Sequence, residues 1–411
     1  MARILIAWEL GEALGHLART LRLTAHLREC GHEVVLVLKR LPEPPDRGGL
    51  PDVSCLPVPP LRQSRPSDGI APVNYADLLR CCGYADAAEL ATRLTHWRGL
   101  LDRTRPDVLL ADHAPTALLA AHVEGIAHLA VGNGFAVPPP VHPWPSIRPW
   151  EDVDAKRLCA AEQALDRVVD AALVRHGFAG RVRMRELFGA QDVLDTFPEL
   201  DHYGARPGAC YAGPIVHSTA SQSVAWQRSE GSRVLAYLRT PMPGFAALMR
   251  SLAASGAEVL CIVPGLPAEK ARRLASRRMR VARAPLALPP LLREASLAVG
   301  YGSSGFATQA LLAGVPVLSR SRHVEQALFA RRIVALGAGR VLEGRVTREH
   351  VLGAVQAMLG RPDERVAASG FAARYRDFSP DRAVDQTVAA IERCTGLVPS
   401  RSLHMNLVLE N

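Results

Sequence analysis

Lysine is nearly missing from this chain: Lys39, Lys156 and Lys270 are the only three among 49 basic residues. The formal charge of +9 is therefore carried by arginine. That suits phosphorylated ligands, and contact with an anionic membrane surface stays open. Aromatic residues make up only 5% and are not interleaved with a basic stripe, which argues against nucleic acid as a partner. The eight cysteines are scattered without C-x-x-C or Cys/His spacing, so neither a disulfide framework nor a metal centre is expected. No stretch reaches the ~20 apolar residues of a membrane-crossing helix. The opening run Ile4 to Trp8 is too short for a signal peptide and meets Glu9, so a cytoplasmic location is expected.

What is present is ample core: 48% hydrophobic against 22% charged residues over 411 positions, enough for two domains. Arg3 to Ala7 reads as a buried strand, Gly11 to Gly15 as a turn, Leu17 to Glu29 as a helix and Glu33 to Leu38 as a second strand. This βαβ unit implies a parallel sheet covered on both faces. Leu41 to Pro72 reads as a long loop, Tyr75 to Asp102 as helix, and Val108 to Ala111 as a strand running into Asp112 and His113. A Pro- and Trp-rich loop covers 138–150 and one or two helices cover 150–188. Residues 216–232 are polar and serine-rich, the best linker. Beyond them strands and helices alternate again, with further helices at Arg348 to Leu359 and Asp381 to Cys394. The expected division is 1–215, a linker at 216–232, 233–375, and a C-terminal helix and tail at 376–411. The fold class is α/β, two Rossmann-like domains facing a cleft.

The most informative stretch is 296–339. A short apolar run ends in Gly300-Tyr-Gly302-Ser-Ser-Gly305, an Ala/Leu-rich helix follows, then Gly314-Val-Pro316 and a second apolar run, then a polar loop ending in Glu325-Gln326. Glycines and serines at a helix N-terminus present open backbone N–H groups, a seat for phosphate; Ser304 would also cap any helix there. His16 follows a glycine turn after the first strand, at the edge where ligands of open α/β sheets bind, and Asp112 ends another strand of the same sheet. Such a pair can take a proton from a hydroxyl and orient the imidazole, although a helix-start histidine can also simply pack. His113 is the adjacent alternative. Trp8, Glu9 and Trp144 are candidates to border an acceptor, and Arg239-Thr240 ends the first strand of the second array.

The stretch 299–339 resembles the nucleotide-sugar signature of GT-B fold glycosyltransferases of the UDP-glycosyltransferase-like branch, with Gly314-Val-Pro316, Glu325-Gln326 and ARRIVALGAG in register. LGHLARTLRLTAHLRECGHEVVLVL is similar to the family's Gly-His helix and following strand, PDVLLADHAPTALLAAHVEGIAHLAV to the segment carrying its catalytic aspartate, and ACYAGPI to its linker entry. The resemblance implies an inverting transfer from a nucleotide diphosphate sugar, UDP- or dTDP-linked, to a small-molecule, lipid or saccharide hydroxyl. His16 would be the base and Asp112 its orienter, with no cofactor and no metal. Donor contacts would fall to Tyr301, Gly302, Ser303, Ser304, Gly305, Gln309, Glu325, Gln326, Arg239, Thr240 and Leu286.

Two positions depart from the pattern. Tyr301 stands where the family has a histidine on the diphosphate. Gln309, eight residues later, stands where it has a glutamate on the ribose. Neither replacement carries charge, and a deoxyribose nucleotide suits Gln309 at least as well. A nucleotide-sugar epimerase or a non-catalytic nucleotide-sugar binder would share the fold. Gly300-x-Gly302-x-x-Gly305 with Arg320 or Arg322 would also suit an NADP oxidoreductase, although that leaves His16 and Glu325-Gln326 unexplained.

Overall fold

The computed structural model describes residues 1–11, 14–41, 52–60, 71–215, 224–228, 230–242 and 244–396. The described chain divides into two units, each around its own parallel sheet.

In the first unit, β1 (Arg3–Trp8), α1 (Leu14–Glu29) and β2 (Glu33–Leu38) form the opening βαβ. β3 (Ser54–Pro57), α2 (Tyr75–Cys81), α3 (Ala87–Thr104), β4 (Val108–Asp112), α4 (Pro115–Val123), β5 (Ala127–Gly132), α5 (Ala155–His176), β6 (Val193–Leu194) and β7 (Cys210–Tyr211) follow. The sheet order is β3-β2-β1-β4-β5-β6-β7, and every pairing is parallel. β1 lies in the interior, and Ile4, Leu5, Ile6 and Ala7 are fully buried, which is why its sequence is an unbroken apolar run rather than an alternation. α3 packs on α4 and α5, while α1 packs against the chain's last helix.

In the second unit, β8 (Arg233–Tyr237), α6 (Phe245–Ala254), β9 (Glu258–Ile262), α7 (Ala268–Leu274), β10 (Met279–Ala282), α8 (Leu288–Glu294) and β11 (Leu297–Gly300) lead to α9 (Ser304–Leu312). β12 (Val317–Ser319), α10 (Val324–Ala335), β13 (Gly339–Val341), α11 (Arg348–Gly360) and α12 (Asp363–Arg374) complete it, in sheet order β10-β9-β8-β11-β12-β13. α13 (Pro380–Cys394) returns to the first unit, where His26 meets Asp385 at 3.0 Å and buried His32 meets Glu392 at 3.3 Å.

Several expectations are corrected. The helix expected over 75–102 is two, because the chain turns at Gly83 and restarts at Asp86, whose carboxylate caps the N–H groups of Ala88 and Glu89. The loop expected over 41–72 contributes β3 to the sheet edge, with 42–51 and 61–70 outside the described residues. The units are Met1–Pro198, Ala205–His217 and Ser379–Asn411 against Glu199–Gly204 and Ser218–Phe378. Glu199 belongs to the second because its carboxylate accepts from Tyr375 Oη at 2.6 Å and pairs with Arg374. Of the expected linker, 216–223 and 229 lie outside the described residues. Trp226, Gln227 and Arg228 are bound to the second unit, the last two through backbone N–H groups on Glu258 at 2.8 and 3.0 Å.

Candidate active site

Each unit carries a candidate site at the same topological place. In the first, the sheet grows in one direction from β1 to β2 and in the other from β1 to β4, so the crossovers leave on opposite faces at the β1/β4 boundary. A crevice forms outside the carboxyl ends of such strands. There Trp8 pairs in register with Asp112. The short link after Trp8 delivers His16 on the first turn of α1, with its Nδ1 2.7 Å from Asp112 Oδ1. The carboxylate only accepts, so in the neutral imidazole Nδ1 carries the hydrogen and Nε2 the lone pair. Nε2 faces Gly11 so closely that a Cβ there would lie 2.6 Å away. The Trp8 ring stacks on the imidazole at 5.4 Å and 16°, while its own Nε1 donates to Leu10 O at 2.6 Å.

Asp112 is 1% exposed and shared. Arg19, one turn beyond His16, donates from Nε to Asp112 Oδ2 at 3.1 Å and from Nη2 to Oδ1, and its Nη1 reaches Asp195. Burial alone would raise the Asp112 carboxyl, but the Arg19 and His16 charges and hydrogen bonds overcome it and take it down to about 2. The net direction for Asp195 is opposite: burial raises it more than Arg19 lowers it. His113 sits at a backbone φ of 47°, its ring 6.3 Å from that of His16, and burial pushes it down to about 3, so it stays neutral. Both Arg19 and Asp195 were missed by sequence reasoning. Arg19 was legible as the position three residues after His16 on one helix face.

In the second unit the corresponding boundary is β8/β11, where Gly300 pairs with Tyr237. The chain leaves β11 through Tyr301 and Gly302 and enters α9 with Ser303 at the N-cap. Ser303 makes no side-chain cap bond, so the N–H groups of the first turn and the serine hydroxyls are available to an anion. Gly302 has φ +83°, and a Cβ there would lie 2.9 Å from Gln326 O, which brings the 301–305 turn against the first turn of α10, where the expected Glu325-Gln326 loop is helical. Gln326 is buried and accepts from Arg322 N at 3.0 Å, bracing the loop ahead of α10, while Glu325 in the first turn of that helix lies within 3.7 Å of His323 Nδ1. Gln309 donates from Nε2 to Gly305 O at 3.1 Å. Tyr301 is half-buried beside Tyr237, and Arg239 and Thr240 follow β8 at the same sheet edge. Arg320 is committed to the carbonyls of Leu342 and Gly344 at 2.7 and 3.0 Å.

Some candidate side chains have another place. Glu9 was expected to border an acceptor, but it is 1% exposed and its carboxylate accepts from Trp97 Nε1 at 2.9 Å and Thr116 N at 2.7 Å, at the start of α4. Burial raises it. Trp8 is likewise buried and supports the imidazole, and Trp144 lies in the core, edge-on to Tyr75 at 5.3 Å. Leu286, expected beside the nucleobase, is buried ahead of α8. For Trp8, Trp144 and Leu286 an aromatic or aliphatic body found a packed interior more favourable than an open edge.

No protein-family model matches the chain. It is 35% identical over 89 residues to glycosyltransferase GtfC of Amycolatopsis orientalis, 22% of either chain. Over 290 residues it is 25% identical to the PGL/p-HBAD biosynthesis rhamnosyltransferase of Mycobacterium bovis (strain BCG / Pasteur 1173P2), 66% of this chain and 64% of that one. The matched stretches thus span less than two thirds of either relative. Among solved structures, the glycotransferase of kitacinnamycin superposes with a TM-score of 0.67 at 19% identity, over 96% of this chain and 99% of the other. The spinosyn rhamnosyltransferase SpnG complexed with thymidine diphosphate superposes with a TM-score of 0.63 at 19% identity, over 94% and 99%. Two doubly wound parallel-sheet units in one chain, matched nearly end to end by these structures, give this protein the GT-B fold of the glycosyltransferases.

Proposed function

We propose that the chain is an inverting glycosyltransferase moving a sugar from a nucleotide diphosphate sugar to an acceptor hydroxyl. The observation that carries this is the hydrogen bond from His16 Nδ1 to buried, ionised Asp112, which leaves Nε2 as a base at the sheet's switch point. His16 Nε2 takes the hydroxyl proton as the acceptor oxygen attacks the anomeric carbon. The bond from that carbon to the diphosphate oxygen breaks with its electron pair on the leaving nucleotide, and attack from the opposite face inverts the centre. Asp112 stabilises the imidazolium, in the manner of a triad carboxylate. The departing charge is received by the N–H groups of the α9 first turn and by Ser303 and Ser304, aided by the helix dipole. No metal or cofactor is assigned a step.

The donor reading is a thymidine diphosphate deoxysugar. The solved SpnG complex holds thymidine diphosphate, and both SpnG and the mycobacterial relative are named rhamnosyltransferases. Gln309 supports it, because its amide nitrogen is engaged with Gly305 O and its oxygen remains to accept from one hydroxyl. The test is His16→Ala assayed with a panel of thymidine and uridine diphosphate sugars. Transfer should fall by about 10²–10⁴-fold, while thymidine diphosphate still raises the melting temperature. Wild-type transfer by His16→Ala would overturn the reading, as would stabilisation by NADP and by neither nucleoside diphosphate.

A further inference from the structure

The His16–Asp112 pair is the visible end of a longer chain of charge. Asp112 Oδ1 receives His16 Nδ1 at 2.7 Å and also Arg19 Nη2, which itself lies 3.2 Å from Nδ1. Asp112 Oδ2 receives Arg19 Nε, and the third corner of the same guanidinium donates to Asp195 Oδ2. Neutralising Asp112 needs only Arg19. A second carboxylate adds an unfavourable buried charge, and Asp195 Oδ1 is buried with no hydrogen-bond partner among the described residues. Asp195 is nevertheless held in place by its backbone, whose N–H donates to Gly132 O at 2.9 Å at the end of β5. The alternation imidazole, carboxylate, guanidinium, carboxylate therefore calls for an explanation beyond packing.

We propose that Arg19 and Asp195 are positioning residues that set how strongly Asp112 holds a proton on His16. This rests on His16 being the base. Arg19 competes with His16 for Asp112 Oδ1 and places a positive charge beside the ring, which disfavours imidazolium. Asp195 draws that guanidinium toward itself and, in its ionised form, returns the trio Asp112, Arg19 and Asp195 to a net negative charge. The other groups facing His16 are the Trp8 ring, His113, and Lys39, whose Nζ donates to Gly11 O at 3.1 Å. They stay constant when Arg19 or Asp195 is changed.

Opposite signs follow. Asp195→Asn removes a negative charge, so the acid limb of the kcat/KM profile should move to lower pH. Arg19→Gln removes a positive one, so the limb should move to higher pH, each by about one unit. KM for donor and acceptor should stay within about twofold while kcat falls about tenfold in Arg19→Gln. The experiment pairs those profiles with an NMR titration of the His16 ring in the full chain of wild type, Arg19→Gln and Asp195→Asn. Opposite displacements of the ring titration sustain the proposal. Unmoved titrations, or displacements in the same direction, overturn it, and the isosteric Asp195→Asn alone decides it if Arg19→Gln does not fold. The ring titration needs no turnover, so an active His16→Ala would sink the transferase reading while leaving this readout standing.

Discussion

In the first unit the strands around the switch point run β2-β1-β4-β5, and in the second they run β9-β8-β11-β12; the two topologies coincide, yet apart from a turn glycine the residues set at that place differ in chemistry. The first holds side-chain charge: His16, Asp112, Arg19 and Asp195 joined by hydrogen bonds. The turn after β11 in the second offers glycines, two serine hydroxyls and the open N–H groups of α9. Topology supplies a crevice in both, and residue chemistry decides its use. A base needs one ionisable group with a fixed proton inventory, whereas a departing diphosphate needs several donors that cost no reorganisation.

The two turn glycines give the largest break in this comparison. Gly11 and Gly302 have nearly equal φ, +85° and +83°. A Cβ at Gly11 would meet the far end of a side chain, His16 Nε2 at 2.6 Å, while one at Gly302 would meet backbone, Gln326 O at 2.9 Å. Gly11→Ala should therefore push the imidazole off its position and cost about 10²-fold in kcat, with about 1 kcal/mol of stability lost to the left-handed backbone. Gly302→Ala cannot relax a side chain and should destabilise its own unit by about 2 kcal/mol or more, together with donor binding. Equal losses of activity and stability in both variants, read by kinetics and urea unfolding, would erase the distinction.

The contrast also explains what could be read from the chain. Most of the second candidate site lies in one continuous stretch, 296–339, whose strand, turn and helix signals are local, so the way that stretch folds was legible. The first is assembled from three places in the chain: α1, the end of β4 and the residue after β6. His16 and Asp112 were legible because a glycine turn and a strand end mark them. Asp195 was not, because β6 is two residues long and offers no periodicity, and β13 and α12 escaped for a similar lack of pattern. Glu9 misled for the opposite reason: a carboxylate next to the site looked available, and only the fold shows Trp97 and the α4 N-terminus claiming it.

A smaller effect separates the two sites by pH. The folded Asp112 carboxyl lies at about 2, below its ordinary 3.8, so its contribution to stability is fully present above the unfolded value and is lost as pH falls toward 2. A shift of this size corresponds to about 2 kcal/mol at neutral pH. Wild type should therefore lose more stability than Asp112→Asn between pH 5 and roughly 2.5, and the difference should appear in the transition of the first unit. Parallel pH curves for the two proteins in urea unfolding would mean that Asp112 is not held by Arg19 and His16 in solution.

The smallest effect concerns the hydroxyl of Ser303. Thr347 caps α11 with its side chain, accepting from His350 N at 3.2 Å, whereas Ser303 occupies the same N-cap position on α9 and makes no such bond. A hydroxyl engaged in capping stabilises the helix; one that is not can serve the ligand alone. Thr347→Ala should cost about 1 kcal/mol of stability and leave nucleotide affinity unchanged. Ser303→Ala should change stability by less than about 0.5 kcal/mol and weaken thymidine diphosphate binding about three- to tenfold, the loss of one hydrogen bond to a charged group. Calorimetric titration of both variants against unfolding curves makes the comparison. If Ser303→Ala costs stability as Thr347→Ala does and leaves affinity intact, the turn after β11 is a helix cap rather than a diphosphate seat.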